Sequence, residues 1–249
     1  NAIEAALQAE EKTLKFKMYA EKGLNHHYCA ALADRGYVVF NINYRLVPDV
    51  TVNQQLQDVA RALRWIRDHG SQYPCDMQNI MLTGDSAGGQ LAAYSAVLMQ
   101  SAQLRKTFDT VNPQMELTAL LLTSPVAFMR DGGLFSLYTK PMWGTDYKDK
   151  ATYPYMDFDQ IIDYAQALPP TYLITSSGDT LANKQTHRLY EVLQAHGVQA
   201  EIKDYAKAEY NQSLPHVFSV LQPFEPAGTA AIDKALAFYQ QAMTAKVAQ

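Results

Sequence analysis

The sequence predicts an α/β fold built around a mainly parallel sheet, and three observations carry the prediction. Segments rich in β-branched and aromatic residues alternate with segments whose apolar residues recur at helical spacing, the pattern of repeated strand–helix units. At one junction, Asn79 to Met99, a strand, a glycine-rich turn and a helix follow one another with almost no loop. The chain has 249 residues, 48% hydrophobic and 18% charged, enough to bury a core without disulfide or metal support. A single domain over residues 1–249 is therefore expected.

The elements follow in order. Asn1 to Lys15 is rich in Ala, Glu, Gln and Lys and reads as helical, with no positively charged start leading into an apolar core. Leu24 to Asp34 reads as a helix stopped at Gly36, and Tyr37 to Asn43 (YVVFNIN) as a strand. Gln54 to Asp68 carries Leu56, Val59, Ala60, Leu63 and Ile66 on one helical stripe. Asn79 to Thr83 is a short apolar strand, and Gln90 to Met99 a helix. Leu117 to Thr123, Thr171 to Ser176 and Gln199 to Tyr205 are further strands. Ala182 to His196 and Ala230 to Met243 are further helices. Ser124 to Pro170 breaks the alternation. It holds Phe128, Phe135, Tyr138, Trp143, Tyr147, Tyr153, Tyr155 and Phe158 without a clean period, as a cap or pocket wall would.

Charge and cysteine content exclude several classes. A net charge of −4 with no Lys/Arg stripe argues against a nucleic-acid partner. Cys29 and Cys75 are too few for a disulfide framework and have no metal-ligand spacing; no H-x-x-x-H occurs, so neither metal nor other cofactor is expected. No apolar run approaches the length of a membrane span. A cytoplasmic location is expected, and a homodimer is left open.

The sharpest chemical signal is Gly84-Asp85-Ser86-Ala87-Gly88, followed by Gly89. A G-x-S-x-G between a strand and a helix is a nucleophile elbow: a tight turn presents the serine hydroxyl at a helix N-terminus, where free N–H groups favour negative charge. The flanking glycines are expected to let the two segments pass closely. A serine needs a base, itself oriented by an acid. Asp179 follows the strand TYLITS in Ser177-Gly178-Asp179-Thr180, at the end of the strand where ligands bind in open α/β sheets; a helix-capping role is its alternative. Among six histidines, His26, His27 and His69 precede the nucleophile. His187 lies inside a helix and His196 at its end, which leaves His216, in a loop beyond the final strand, as the base. Tyr44 and Arg45 are expected to anchor a turn through hydrogen bonds.

With these residues the chain resembles the hormone-sensitive-lipase-like branch of the α/β-hydrolase superfamily, which holds esterases and lipases. The elbow Gly84 to Gly89 reads G-D-S-A-G-G, and Tyr44 to Asp49 is similar to the family's Tyr-Arg-Leu-Ala-Pro-Glu turn. Asp179-Thr180-Leu181 stands where the family has Asp-Pro-Leu, and His216-Val217-Phe218 where it often has His-Gly-Phe. The resemblance spans roughly residues 20–242. It implies an α/β-hydrolase fold with Ser86, Asp179 and His216 as the catalytic set and the Ala87 N–H in the oxyanion hole. Asp85, Phe128 and Trp143 are expected to line the substrate pocket. One departure stands out. The family places His-Gly-Gly-Gly just before the position of Phe16, where this chain reads Glu-Lys-Thr-Leu-Lys over 11–15. The strands that precede that segment are expected to be missing or altered, and the second oxyanion donor is not found. Loss of one such donor costs about 10²–10³ in turnover.

The expected function is thus a serine carboxylic-ester hydrolase acting through an acyl-enzyme on small to medium apolar or aryl esters. The alternatives are an amide or peptide-end serine hydrolase, and a ligand-binding protein that keeps the scaffold without turnover.

Overall fold

The computed structural model describes residues 25–130 and 134–247. Their sheet has four parallel strands, β1 (Met81–Asp85), β2 (Ala119–Thr123), β3 (Thr171–Ser176) and β4 (Ala200–Tyr205), in the order β1-β2-β3-β4. Each strand pairs with its predecessor in the chain, Met81 opposite Ala119, Leu120 opposite Thr171 and Thr171 opposite Ala200. Helices fill the connections, as parallel pairing requires.

Residue parity sorts the core into two layers. Leu120, Leu122 and Leu173 face one layer, with helix α2 (Val52–His69), helix α3 (Ser86–Gln100) and helix α4 (Ala102–Phe108). Ala119, Leu121, Tyr172 and Ile174 face the other, with helix α1 (His26–Asp34) and the C-terminal helix Pro226–Val247. Strands β2 and β3 are therefore buried on both faces, which explains why neither alternates polar with apolar residues. Helix α2 starts where the Gln54 side chain accepts the Thr51 backbone N–H at 2.9 Å, half of a capping box. Its stripe Leu56, Val59, Leu63 packs against Leu91, Ala92 and Val97 of α3 in one cluster.

One sequence expectation changes. Tyr37 to Asn43 is not a strand: no ladder joins it to β1 or to any other described strand. Its β-branched composition favours strand geometry, but a strand exists only beside a hydrogen-bonded neighbour. Tyr37 and Val39 pack on one core layer and Ile42 on the other. Within residues 124–170, Phe128, Trp143, Met156, Phe158 and Ile161 join the same buried cluster as Leu120 and Leu122. The segment's entry is pinned: Asp157 accepts the backbone N–H groups of Met129 at 2.6 Å and Arg130 at 3.0 Å, and Gln185 exchanges two hydrogen bonds with the Phe128 backbone. The helix expected over residues 1–15, and the Glu11–Lys15 departure, lie outside the described residues.

The Tyr44–Arg45 turn is held as expected. Arg45 pairs with the buried Asp58 through Nε at 2.9 Å and Nη2 at 2.7 Å, and its own backbone N–H also reaches that carboxylate. Cys29 and Cys75 are both free thiols.

Candidate active site

Ser86 ends the tight path from β1 into α3 with a left-handed backbone, φ 50°. Such a conformation is costly for any residue but glycine and must be fixed by its surroundings. Two glycines do so. A Cβ on Gly84 would lie 2.3 Å from the Gly88 carbonyl oxygen, and one on Gly89 2.9 Å from Pro125 Cβ. Gly88 differs from the expectation: its Cβ would meet nothing closer than 3.9 Å, at Asp85 and the Tyr44 hydroxyl. The close passage therefore falls on Gly84 and Gly89, while Gly88 contributes its carbonyl. Val126 N–H donates to the Ser86 carbonyl at 3.1 Å, tying the segment after β2 to the elbow.

Asp179, in the loop after β3, has a fully buried side chain. Its Oδ1 accepts the backbone N–H groups of Leu181 at 3.0 Å and Ala182 at 2.9 Å, and its Oδ2 lies 2.9 Å from His216 Nδ1. The helix-entry role and the histidine contact thus coexist, one on each oxygen. The loop before Asp179 and the loop before His216 cross at Gly178, where a Cβ would lie 2.5 Å from the Leu214 carbonyl. Ser176 fastens the crossing by donating to that same carbonyl at 2.7 Å.

His216 Nε2 lies 2.9 Å from Ser86 Oγ, so Asp179, His216 and Ser86 form one unbroken chain. Burial pushes the Asp179 carboxyl up, but the hydrogen bonds from His216 and Ala182 hold it below the ordinary carboxylate value. An ionised carboxylate only accepts, so Nδ1 carries the imidazole proton and Nε2 is left to accept from the Ser86 hydroxyl.

Asp85 directly precedes the nucleophile. Burial pushes its carboxyl up, offset only in part by its own backbone N–H, His216 and the Asn25 amide, whose Nδ2 is 3.5 Å away. Tyr44 shares this recess, its phenol raised to about 12 by burial and by the Asp85 charge. The other expected pocket residues are not open to it. Phe128 is 0% exposed beneath the Arg188 guanidinium, 3.9 Å from the ring centre, and Trp143 is 2% exposed. Side chains with so little free surface fill the core rather than line an open pocket.

Three of the other histidines are engaged elsewhere. His187 pairs with Asp204 at 2.9 Å, His69 stacks on Trp65, and His196 reaches the Val192 carbonyl. Sequence reasoning did not single out Asn25, Ser124, Ser176 or the left-handed Val217 that follows His216. Of these only Val217 left a trace, standing where the resemblance has glycine. Among the described residues no cluster of His, Cys, Asp and Glu could hold a metal ion, and no helix is long and apolar enough to cross a membrane.

Comparison with known proteins gives a consistent picture. A family model for the alpha/beta hydrolase fold matches residues 18–212, stopping just short of His216. The probable carboxylic ester hydrolase LipM of Mycobacterium tuberculosis is 27% identical over 222 residues, covering 87% of this chain and 50% of the relative. Esterase LipI of the same organism is 26% identical, covering 80% and 61%. The chain therefore spans about half to three-fifths of the length of these relatives. An inhibited crystal structure of esterase B from Lactobacillus rhamnosis superposes with a TM-score of 0.83 at 30% identity, covering 92% of this chain and 74% of that one.

Proposed function

The chain belongs to the alpha/beta hydrolase fold family, and from that premise we propose that it is a serine carboxylic-ester hydrolase acting on small-molecule esters. The observation that carries this reading is the continuous chain from Asp179 to His216 to Ser86, two contacts of 2.9 Å. In the proposed reaction His216 Nε2 takes the Ser86 proton as Oγ attacks the acyl carbonyl. Asp179, ionised and fixed by two backbone N–H groups, stabilises the imidazolium that forms. The oxyanion develops at the N-terminus of α3, where the Ala87 N–H and the helix dipole meet it. His216 then protonates the leaving alkoxide. Water, deprotonated by the same nitrogen, attacks the acyl-enzyme, and collapse of that intermediate returns the proton to Ser86.

Segment 124–170 is proposed to wall the acyl side of the site as part of a single domain. The Val126–Ser86 hydrogen bond, which starts that segment at the nucleophile, supports this. The two free thiols support a reducing, cytoplasmic location. A homodimer remains part of the proposal, tested by the mass in solution.

The test uses short p-nitrophenyl esters and an alkyl phosphonate that labels active serines. Wild type should turn over the ester and gain one phosphonyl mass at Ser86, and Ser86→Ala should do neither. Equal turnover by both proteins sinks the reading. Ester binding with neither labelling nor turnover would favour a scaffold that binds without hydrolysing.

A further inference from the structure

The mechanism leaves Ser124 unused, although it sits at the centre of the machinery. It directly follows β2, is 1% exposed, and holds a left-handed backbone at φ 47°. Its N–H donates to the Ile174 carbonyl of β3 at 2.7 Å, which sets it at the same end of the sheet as Asp179. Pro125 and Val126, next in the chain, make the contacts that fix Gly89 and Ser86. Glycine would adopt this turn without steric cost, so the turn alone gives no physical reason for a serine.

The hydroxyl supplies one. It is buried and forms no aligned hydrogen bond, an expensive state for a donor. It also lies close enough to the Asp179 carboxylate to help hold that charge. A carboxylate has about four acceptor positions, and three are occupied here, by Leu181, Ala182 and His216. One position is left for a fourth donor.

We propose that Ser124 is a positioning residue for Asp179, its hydroxyl rotating into a full hydrogen bond with the carboxylate as His216 becomes an imidazolium. Proton gain at His216 draws Asp179 Oδ2 toward Nδ1. A fourth donor then keeps the carboxylate from turning away from the ring. The bond is made in the transition state and is misaligned in the resting enzyme, so it acts on kcat rather than on substrate binding. The charged groups around it are His216, which faces Asp179, and Asp85, which acts on His216 from the elbow.

The proposal rests on the hydrolase reading, and its test separates the two. Ser124→Gly removes the hydroxyl and relieves the backbone. Ser124→Ala removes the hydroxyl and keeps the strain, and Ser124→Cys keeps a weak donor. Both Gly and Ala should lower kcat on p-nitrophenyl acetate roughly tenfold with KM within about twofold, and Cys should recover part of the loss. In the same intact proteins, the Asp179 carboxyl carbon, followed by NMR, should titrate at higher pH in Ser124→Gly than in wild type, because a donor to the anion has gone. An unchanged Asp179 midpoint overturns the proposal, as does a kcat loss confined to the Ala variant, which would assign the effect to backbone strain. Should wild type lack turnover, the hydrolase reading fails while the Asp179 midpoint still decides the role of Ser124.

Discussion

Among the described residues, those other than glycine with left-handed backbone fall in two regions, and the regions differ in residue type and in burial. At the periphery stand Asp109, Gln114 and Asn211, all exposed; Asp109 and Asn211 end short helices. Asp and Asn tolerate this conformation because their short polar groups bond locally. At the carboxyl ends of the strands stand Ser86, Ser124 and Val217, the last two buried; Ser86 belongs to the Asp179–His216–Ser86 chain, Val217 follows His216, and Ser124 follows β2. None of these three is a residue type that favours the conformation, and β-branched Val217 least of all. Two of the three peripheral turns, at Asp109 and Asn211, use residues suited to them, with Gln114 the exception, whereas the rim holds unsuited residues in place by packing. Strain of this kind persists only where neighbours over-determine the backbone.

That contrast can be broken experimentally, and the largest effect belongs to the rim's chemistry. Asp179→Asn preserves shape but no longer fixes the His216 tautomer or stabilises the imidazolium, so ester turnover should fall by roughly 10⁴ while the fold persists. Circular dichroism beside kcat/KM checks both halves of the expectation. Next comes the packing that sustains the strain. Gly84→Ala drives a Cβ into backbone and should destabilise by about 3 kcal/mol or more, whereas Gly88→Ala should cost less than about 1 kcal/mol. Urea midpoints of equal size for the two variants would remove the steric account of the elbow.

The two carboxylates flanking His216 give a signed pH test. Asp179 is held below its ordinary value, so its contribution to stability is full above the unfolded carboxyl pKa of about 4 and is lost as pH falls through the folded value. Asp85 is raised, so its contribution is full below about pH 4 and is lost as pH rises through its folded value. Asp85→Asn should therefore be more stable than wild type at pH 7, with the gain vanishing near pH 3. Asp179→Asn should be less stable at pH 7, with the deficit shrinking in acid. Thermal melts at the two pH values decide it, and parallel behaviour would refute the opposed environments. The smallest effects compare the regions directly. Asn211→Gly should gain up to about 1 kcal/mol by easing the turn. Val217→Gly should show little net change, because the strain relieved, about 1–2 kcal/mol, is offset by a buried valine side chain lost.

The same division marks what could be read in advance. Helices with a clean stripe and the strands β2 and β3 were legible because burial on one or both faces writes itself into the spacing of apolar residues. That Ser86, Asp179 and His216 meet follows the chain order, with Ser86 and Asp179 just beyond β1 and β3 and His216 in the longer loop after β4. Tyr37 to Asn43 misled because propensity is local while pairing is not. Phe128 and Trp143 misled because an aromatic side chain has the same composition whether it faces a ligand or a core. Gly88 belongs to the motif, yet the tight approach falls on Gly89, a distinction made only by Pro125 arriving from another strand. Ser124 carries no local mark at all, because its backbone is set by neighbours distant in sequence.

The one-directional strand order also has a consequence in time. Each strand adds beside the one made before it, so during synthesis the sheet can grow in the order in which it leaves the ribosome, at about 5–20 residues per second. Of the described strands, the one that leads into Ser86 comes first, its neighbours follow, and the His216 imidazole emerges only after β4 is complete. A nascent chain halted between Tyr205 and His216 would hold the four described strands while Ser86 still lacks its imidazole partner, so the Ser86–His216 contact arrives after the sheet that must bear it.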